Sequence, residues 1–317
     1  MDGSTSMEVS KAWRYFIRRG VKVSVSIVFQ PLSSSQPNYN QQMVKFVKFK
    51  TTNFFNPTNP QIELFDGDLD ELTRRFPSGL YTTFITLEGK QKVVGLSQHL
   101  ARLNQVGESN GVEWTRKCLR VALQILPIET PDAKVRLLRP DGGGELVIMA
   151  ENWVEIPSDL YETGVVVNLS YVARPSPNEK SSAFIQQSQT ERDRNRSSGI
   201  YESLMVHNGR IREGFTSNVW FVRDGTLITA SKNVLKGITR EVILKCASEL
   251  GIRVVGRSLR VVELPSIEEV FISSSSRGVL PVRQIEKHVF VVKNMDGISL
   301  RISAAYKKKI MEIAEPI

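Results

Sequence analysis

Two dipeptides, Asn208-Gly209 and Asp224-Gly225, sit at the centres of the alternating apolar stretches "IYESLMVHNGRIREG" and "NVWFVRDGTLIT". Asn-Gly and Asp-Gly pairs adopt the positive-φ conformations of a type I′ turn, which twists in the sense two antiparallel strands require. The region is therefore constrained to hairpins in series, and the next segment must pack on the sheet they make. That segment is helical: in "LKGITREVILKCASELG", Val242, Ile243, Cys246, Ala247 and Leu250 share one face. The spacing predicts a helix that starts at Ile238 or Thr239 and closes on Gly251 as its C-terminal cap.

Other elements extend this pattern in both directions. A strand, "GVVVNLSYVA", and a polar helix-bearing stretch, "FIQQSQTERDRNRSSG", precede the hairpins; strands "RVVGRSL" and "EVFISSSSR" and a last helix, "SAAYKKKIMEIAE", come after them. Residues 158–317 thus read as a larger, β-rich C-terminal domain. Upstream, "GLYTTFITLEGKQKVVGL" reads as two strands around a Gly-Lys turn. Leu96, Leu100 and Leu103 have helical spacing, "TRKCLRVALQIL" is a second amphipathic helix, and "KVRLLRPDGGGELVIMAENW" is a hairpin. These elements predict a smaller α+β domain over residues 51–157. At 317 residues the chain exceeds the usual single-domain size, and a two-domain α+β protein is expected.

Residues 1–50 read as a basic N-terminal extension, with a polar, turn-prone loop at 33–43. From Val9 to Ile62 there is no acidic residue. A basic, Ser-containing, acid-free start fits a surface extension of a cytoplasmic protein and an organelle transit segment alike. The formal charge of +9 raises local anion concentration, but regular aromatic interleaving is missing, and a nucleic-acid partner is not expected. Two distant cysteines, Cys118 and Cys246, argue against a disulfide framework or a cysteine zinc site, and no metal is expected. No apolar run approaches the roughly 20 residues of a membrane span.

Chemistry concentrates in "EGFTSNVWFVRDGTLITASKNVLKGITR", residues 213–240. The first amides of the helix after Gly237 lack intrahelical partners and, with the helix dipole, offer an anion site; Gly237 lets a ligand approach the backbone. On this feature alone Thr239 is as well read as an N-cap, and Glu213 as a solvated loop acid. Together, an acid, hydroxyls and a helix start suit a molecule with an anionic end and a cationic ring.

In order along the chain, "EGFTSN", "GTLITA", "LKGITR" and "EEVFISSSSRGVLPV" resemble the class IV aminotransferases, fold type IV enzymes that use pyridoxal phosphate. The family includes D-amino acid transaminase, branched-chain aminotransferase and aminodeoxychorismate lyase. Weaker similarity in "GLYTTF" and "GLSQHLARL" extends the resemblance over approximately residues 75–290. The resemblance implies a Schiff-base lysine upstream of the glutamate. No lysine lies between Ser181 and Ser231, which leaves Lys180 in that position. It further implies Glu213 at the pyridine nitrogen, Ile238, Thr239, Ser275 and Arg102 at the phosphate, Leu235 against one ring face, and Tyr81 lining the pocket near the lysine. His99 is assigned no chemistry. Arg136 and Arg139 lie in the strand region where substrate-carboxylate arginines occur, and either reads equally as a surface charge. The implied reaction is transamination between an amino acid and a 2-oxo acid, with a pyruvate-releasing lyase or an inactive cofactor binder as alternatives, and the implied assembly is a homodimer.

Overall fold

The computed structural model describes residues 25–28, 43–50, 60, 62–103, 111–293 and 296–317. In its N-terminal half, strands β1 (Val25–Val28), β2 (Met43–Lys50), β3 (Ile62–Asp66), β4 (Gly79–Ile85), β6 (Ala133–Pro140) and β7 (Glu145–Asn152) form one sheet. Their order is β1-β3-β2-β7-β6-β4, so β4 lies at an edge. Helix α1 (Leu69–Thr73) opens with a reciprocal capping box between Asp68 and Glu71. Helices α2 (Leu96–Ala101) and α3 (Gly111–Ile125) bury Leu96, Leu100, Trp114, Cys118 and Leu119 against Val135, Leu137 and Ile148 of the sheet.

A ten-stranded sheet organises the C-terminal half. Its strands are β8 (Val165–Ser170), β9 (Glu202–His207), β10 (Arg210–Gly214), β11 (Asn218–Arg223), β12 (Thr226–Thr229), β13 (Val254–Gly256), β14 (Leu259–Arg260), β15 (Glu269–Ser274), β16 (Gly278–Ile285) and β17 (His288–Val289). They run β13-β12-β11-β15-β16-β8-β9-β10-β14, with β17 on β16. Both hairpins form as the dipeptides require: Asn208 and Gly209 have φ of 49° and 68°, and Asp224 and Gly225 have 49° and 67°. Helices α7 (Ile238–Glu249) and α8 (Ile298–Ile313) cover this sheet, with Val242, Ile243, Cys246, Ile302 and Tyr306 packed on Trp220 and Phe271.

Strands β8 and β9 pair in parallel, so the chain must cross back between them. That crossover carries Arg174, Lys180 and two short helices, α5 (Ala183–Gln187) and α6 (Gln189–Ser197). It reaches the other sheet: Tyr81 N–H donates to the Lys180 carbonyl at 2.9 Å, and Ser182 N–H to the Gly79 carbonyl at 2.8 Å. Leu80 and Ser181 form an antiparallel bridge there, so the free edge of β4 pins the lysine segment. Helix α4 (Ser158–Thr163) links the two halves.

Two expectations change. The N-terminal sheet does not begin at residue 51, because Met43–Lys50 is a strand between β3 and β7, with Val44 and Val47 fully buried. Both faces of this strand pack, Val44 and Phe46 into one apolar cluster and Val47 and Phe49 into another, and the lysines are accommodated between them: Lys45 is buried, and Lys48 pairs with Glu63 of β3 at 2.7 Å. The transit-like or extension reading of residues 1–24 and the loop reading of 33–42 lie outside the described residues. The two strands around the Gly89-Lys90 turn form as expected, as β4 and β5 (Lys92–Val94), but the pairing across the turn is limited to a Leu87–Lys92 bridge beyond the end of β4, and β5 pairs instead with β18 (Ala314–Pro316).

Candidate functional site

Helix α7 starts at the wall of a cleft. Its N-cap is Gly237, in extended conformation, and Ile238 and Thr239 make its first turn, so Thr239 lies inside the helix and does not cap it. The amides of that turn have no carbonyl of their own helix to bond. A Cβ at Gly237 would run into Asn218 Oδ1, so only glycine lets the chain pass this close to β11. The Thr239 hydroxyl bonds Tyr306 of α8.

Glu213, next to last in β10, faces the same cleft, 2 % exposed. Its Oε2 accepts from Leu235 N–H at 2.9 Å and Asn218 Nδ2 at 3.4 Å, while Arg174 Nε lies 3.4 Å from Oε1. Burial pushes its carboxyl up to about 7, against the pull of Arg174 and the Leu235 amide. Asn218 also donates to the Leu235 carbonyl at 3.0 Å, which fixes the position of that leucine on the cleft.

Lys180 enters from the crossover, and its Nζ lies 5.0 Å from the centroid of the Tyr81 ring. Burial, followed by the nearby charges of Arg102, Arg136 and Arg174, holds its amine well below the ordinary lysine value, with Asp70 opposing. Burial and neighbouring cations thus favour the uncharged amine, the form of a lysine that acts as a nucleophile. Arg102 caps the end of α2 and donates through Nη2 to the Lys236 carbonyl at 2.5 Å, so the two sheets meet at the start of α7.

The cleft therefore gathers Arg102, Lys180, Glu213, Leu235, Ile238, Thr239 and Ser275. Tyr81 stands beside the lysine, 4 % exposed. His99 is 1 % exposed, bonded through Nδ1 to Thr82 Oγ1, and kept neutral by burial and by Arg102 and Lys180; it is a core residue. Arg136 is not on the surface: it is 7 % exposed, and Thr83, Leu69, Asp70 and Thr73 accept its hydrogen bonds.

Sequence reasoning missed several residues of this cleft. Arg174 carried a signal, an arginine shortly before the lysine in "RPSPNEK"; Thr216, Ser217, Ser273 and Ser274 stood inside the family-like motifs without a role. Glu202, which stands behind the cleft wall and not on it, carried none. It is buried on β9 and accepts from Thr216 N–H at 2.5 Å, Thr216 Oγ1 at 2.6 Å, Ser217 Oγ at 2.5 Å and Arg277 Nη1 at 3.1 Å, tying together the two loops that line the cleft.

Three comparisons bear on this arrangement. The sequence model of a family described as "Amino-transferase class IV" matches residues 79–285. A probable branched-chain-amino-acid aminotransferase of Thermotoga maritima is 33 % identical over 183 residues, 56 % of this chain and 66 % of that protein. The branched-chain-amino-acid aminotransferase of Escherichia coli is 38 % identical over 91 residues, 28 % of this chain and 29 % of that protein. The match thus spans under two thirds of the length of these curated relatives. Among solved structures, a putative branched-chain amino acid aminotransferase from Thermotoga maritima superposes with a TM-score of 0.66 at 23 % identity, covering 84 % of this chain and 96 % of that one. A T.th. branched-chain amino acid aminotransferase complexed with N-(5'-phosphopyridoxyl)-L-glutamate does so with a TM-score of 0.64 at 15 % identity, over 84 % and 94 %. At these identities the structures show the shared fold, that of the type IV aminotransferases.

Class IV aminotransferases use pyridoxal 5'-phosphate. The residues present fit that group. Ser274 Oγ is buried on the cleft and has no hydrogen-bond partner among the described residues, Gly237 leaves the backbone open at a helix start, and a lysine and a carboxylate, Lys180 and Glu213, line the same space. With the family model matching well over half of its length, the chain belongs to the class IV aminotransferases.

Proposed function

We propose that this protein is a pyridoxal-phosphate-dependent aminotransferase that exchanges an amino acid and a 2-oxo acid, with branched-chain or similarly apolar substrates. One observation carries the reading: Lys180, Glu213, Arg102 and the first turn of α7, which come from both halves of the chain, face one cleft. The names of the relatives support the substrate class.

Lys180 would hold the cofactor covalently through Nζ, and Arg102, Ile238, Thr239 and Ser275 would hold its phosphate. Leu235 would rest against the ring and Glu213 would accept a hydrogen bond from the ring nitrogen. When bound, the cofactor supplies an electron sink for the carbanion left when an amino acid loses its α-proton. Nζ of Lys180, once released, would be the base that takes that proton, and burial lowers its affinity for protons relative to an exposed lysine. Glu213, kept ionised by a cationic ring next to it and by Arg174, keeps a proton on the ring nitrogen. The resemblance also implies a homodimer, which sedimentation would check.

The test is spectral. Protein reconstituted with cofactor is expected to absorb in the visible near the band of a lysine-bound cofactor, lose that band on Lys180→Ala, and lose it reversibly when leucine, valine or isoleucine is added. A folded protein that takes up no cofactor overturns the reading. Bleaching by D-alanine but by no branched-chain amino acid overturns the substrate class.

A further inference from the structure

Asp70 belongs to none of the family-like motifs, yet it stands at a junction. It is in the first turn of α1, and its Oδ1 is 2.7 Å from Arg136 Nη1 of β6 while its Oδ2 is 3.2 Å from Arg192 Nη1 of α6. One carboxylate therefore joins the N-terminal sheet to the crossover that carries Lys180. Against the effect of burial, the two guanidiniums hold its carboxyl well below the usual carboxylate range, so it is ionised at any working pH. The Arg136 guanidinium carbon lies 4.9 Å from the centroid of the Tyr81 ring, and Lys180 Nζ lies 5.0 Å from the same centroid. The amine and a buried guanidinium thus share one aromatic ring.

We propose that Asp70 is a positioning residue for Lys180: it clamps Arg136 and Arg192, compensates the buried guanidinium charge beside Tyr81, and so fixes the electrostatic setting in which the Lys180 amine works. Arg102 from the end of α2, Arg174 from the crossover, Arg136 from β6, Tyr81 from β4 and Glu213 from β10 also face that amine. Three of these are cations, so the field at Nζ depends on which of them is neutralised. Asp70 neutralises Arg136 directly, whereas Glu213 does so for Arg174. Removing Asp70 leaves a guanidinium uncompensated in a low-dielectric site, where its reach is longer than in water.

The inference rests on the reading of Lys180 as the cofactor lysine for its meaning, but its test does not. In the ligand-free chain, the pH dependence of Lys180 acylation by trace acetic anhydride, followed by peptide mass spectrometry, gives the midpoint for the amine. Asp70→Asn is expected to move that midpoint down by about one pH unit, and Arg136→Gln to move it up. The double variant is expected to return close to the wild-type value, because the two charges act on the amine with opposite sign. In cofactor-loaded protein the visible band should titrate with shifts of the same signs. Should Asp70→Asn fail to fold, Arg136→Gln still has to raise the midpoint. Lower thermal stability with unchanged midpoints would reduce Asp70 to a structural tie and overturn the proposal. Wild-type protein that binds no cofactor, with the acylation shifts intact, would instead count against the proposed function alone.

Discussion

Arg174 Nε lies 3.4 Å from Glu213 Oε1, with both side chains more than nine-tenths buried, yet that Nε–H makes no hydrogen bond among the described residues. The pair attracts through charge without the directed contact that would saturate the carboxylate. Glu213 consequently sits at about 7, raised by burial and only partly recovered by Arg174 and the Leu235 amide. A carboxyl raised in the folded state keeps a proton that the unfolded chain gives up near its ordinary value. Its contribution to stability is thus present at low pH, falls as pH rises through that window, and is fully lost above about 7.

For ligand-free protein this predicts that Glu213→Gln is more stable than wild type at pH 8, by on the order of 2 kcal/mol, and that the difference shrinks toward pH 5. The Leu235 amide keeps its acceptor in the variant. Cofactor affinity should move the other way, because a neutral amide cannot pair with a protonated ring. Urea denaturation at several pH values, with and without cofactor, measures both; a stability difference that does not vary with pH would rule the account out.

How far the sequence led here depends on whether a residue's job is local. Gly209 and Gly225 declare their turns because φ > 0 is a property of the residue and its neighbour, and the apolar stripe of α7 declares its burial by spacing alone. Glu213, Ile238 and Thr239 were legible since a short ordered motif carries them. The strand at Met43–Lys50 was hidden by its lysines, and nothing around Lys180 in the chain announces the state of its amine, which burial sets first and Arg102 and Arg136, far away in sequence, lower further while Asp70 opposes. Glu202 was illegible for the same cause: its four donors come from residues 216, 217 and 277, and nothing near it announces them.

That network gives a second prediction. Glu202 is 4 % exposed, and Arg277 also donates to Thr216 Oγ1 at 2.8 Å, so the carboxylate organises two hydroxyls, a backbone amide and a cation at once. Glu202→Gln replaces one acceptor oxygen with a donor that faces donors. It is expected to cost about 3 kcal/mol in urea denaturation and to weaken cofactor binding, because Thr216 and Ser217 line the cleft. Stability within about 1 kcal/mol of wild type, on the order of a single exposed pair, would show the network to be dispensable.

Gly237 supplies a third. Its φ of −69° is open to any residue, so strain in the backbone is not the issue; the obstacle is Asn218 Oδ1, which a methyl group would strike. Asn218 holds both Glu213 and the Leu235 carbonyl, and any shift of its side chain propagates to the acid and to the leucine. Gly237→Ala is therefore expected to lower cofactor affinity by more than about tenfold while costing about 1 kcal/mol in stability. Equilibrium dialysis and thermal unfolding separate the two effects, and an unchanged affinity would mean that the helix start can tolerate a side chain.

Trp220 allows the converse experiment, in which stability suffers first. It is fully buried, its ring stacks on Phe271 with centroids 5.7 Å apart and planes 12° apart, and its Nε1–H donates to Ser273 Oγ at 2.8 Å. Ser273 lines the cleft, but its hydroxyl is turned to the tryptophan, so the indole supports the wall from the core side. Trp220→Phe preserves most of the stacked surface, removes the hydrogen bond and leaves a small void. It is expected to cost about 2 kcal/mol in urea denaturation, with cofactor affinity reduced less than by Gly237→Ala. If affinity instead falls further than in the glycine variant, Ser273 contributes to ligand binding directly, and the wall and its support are not separable.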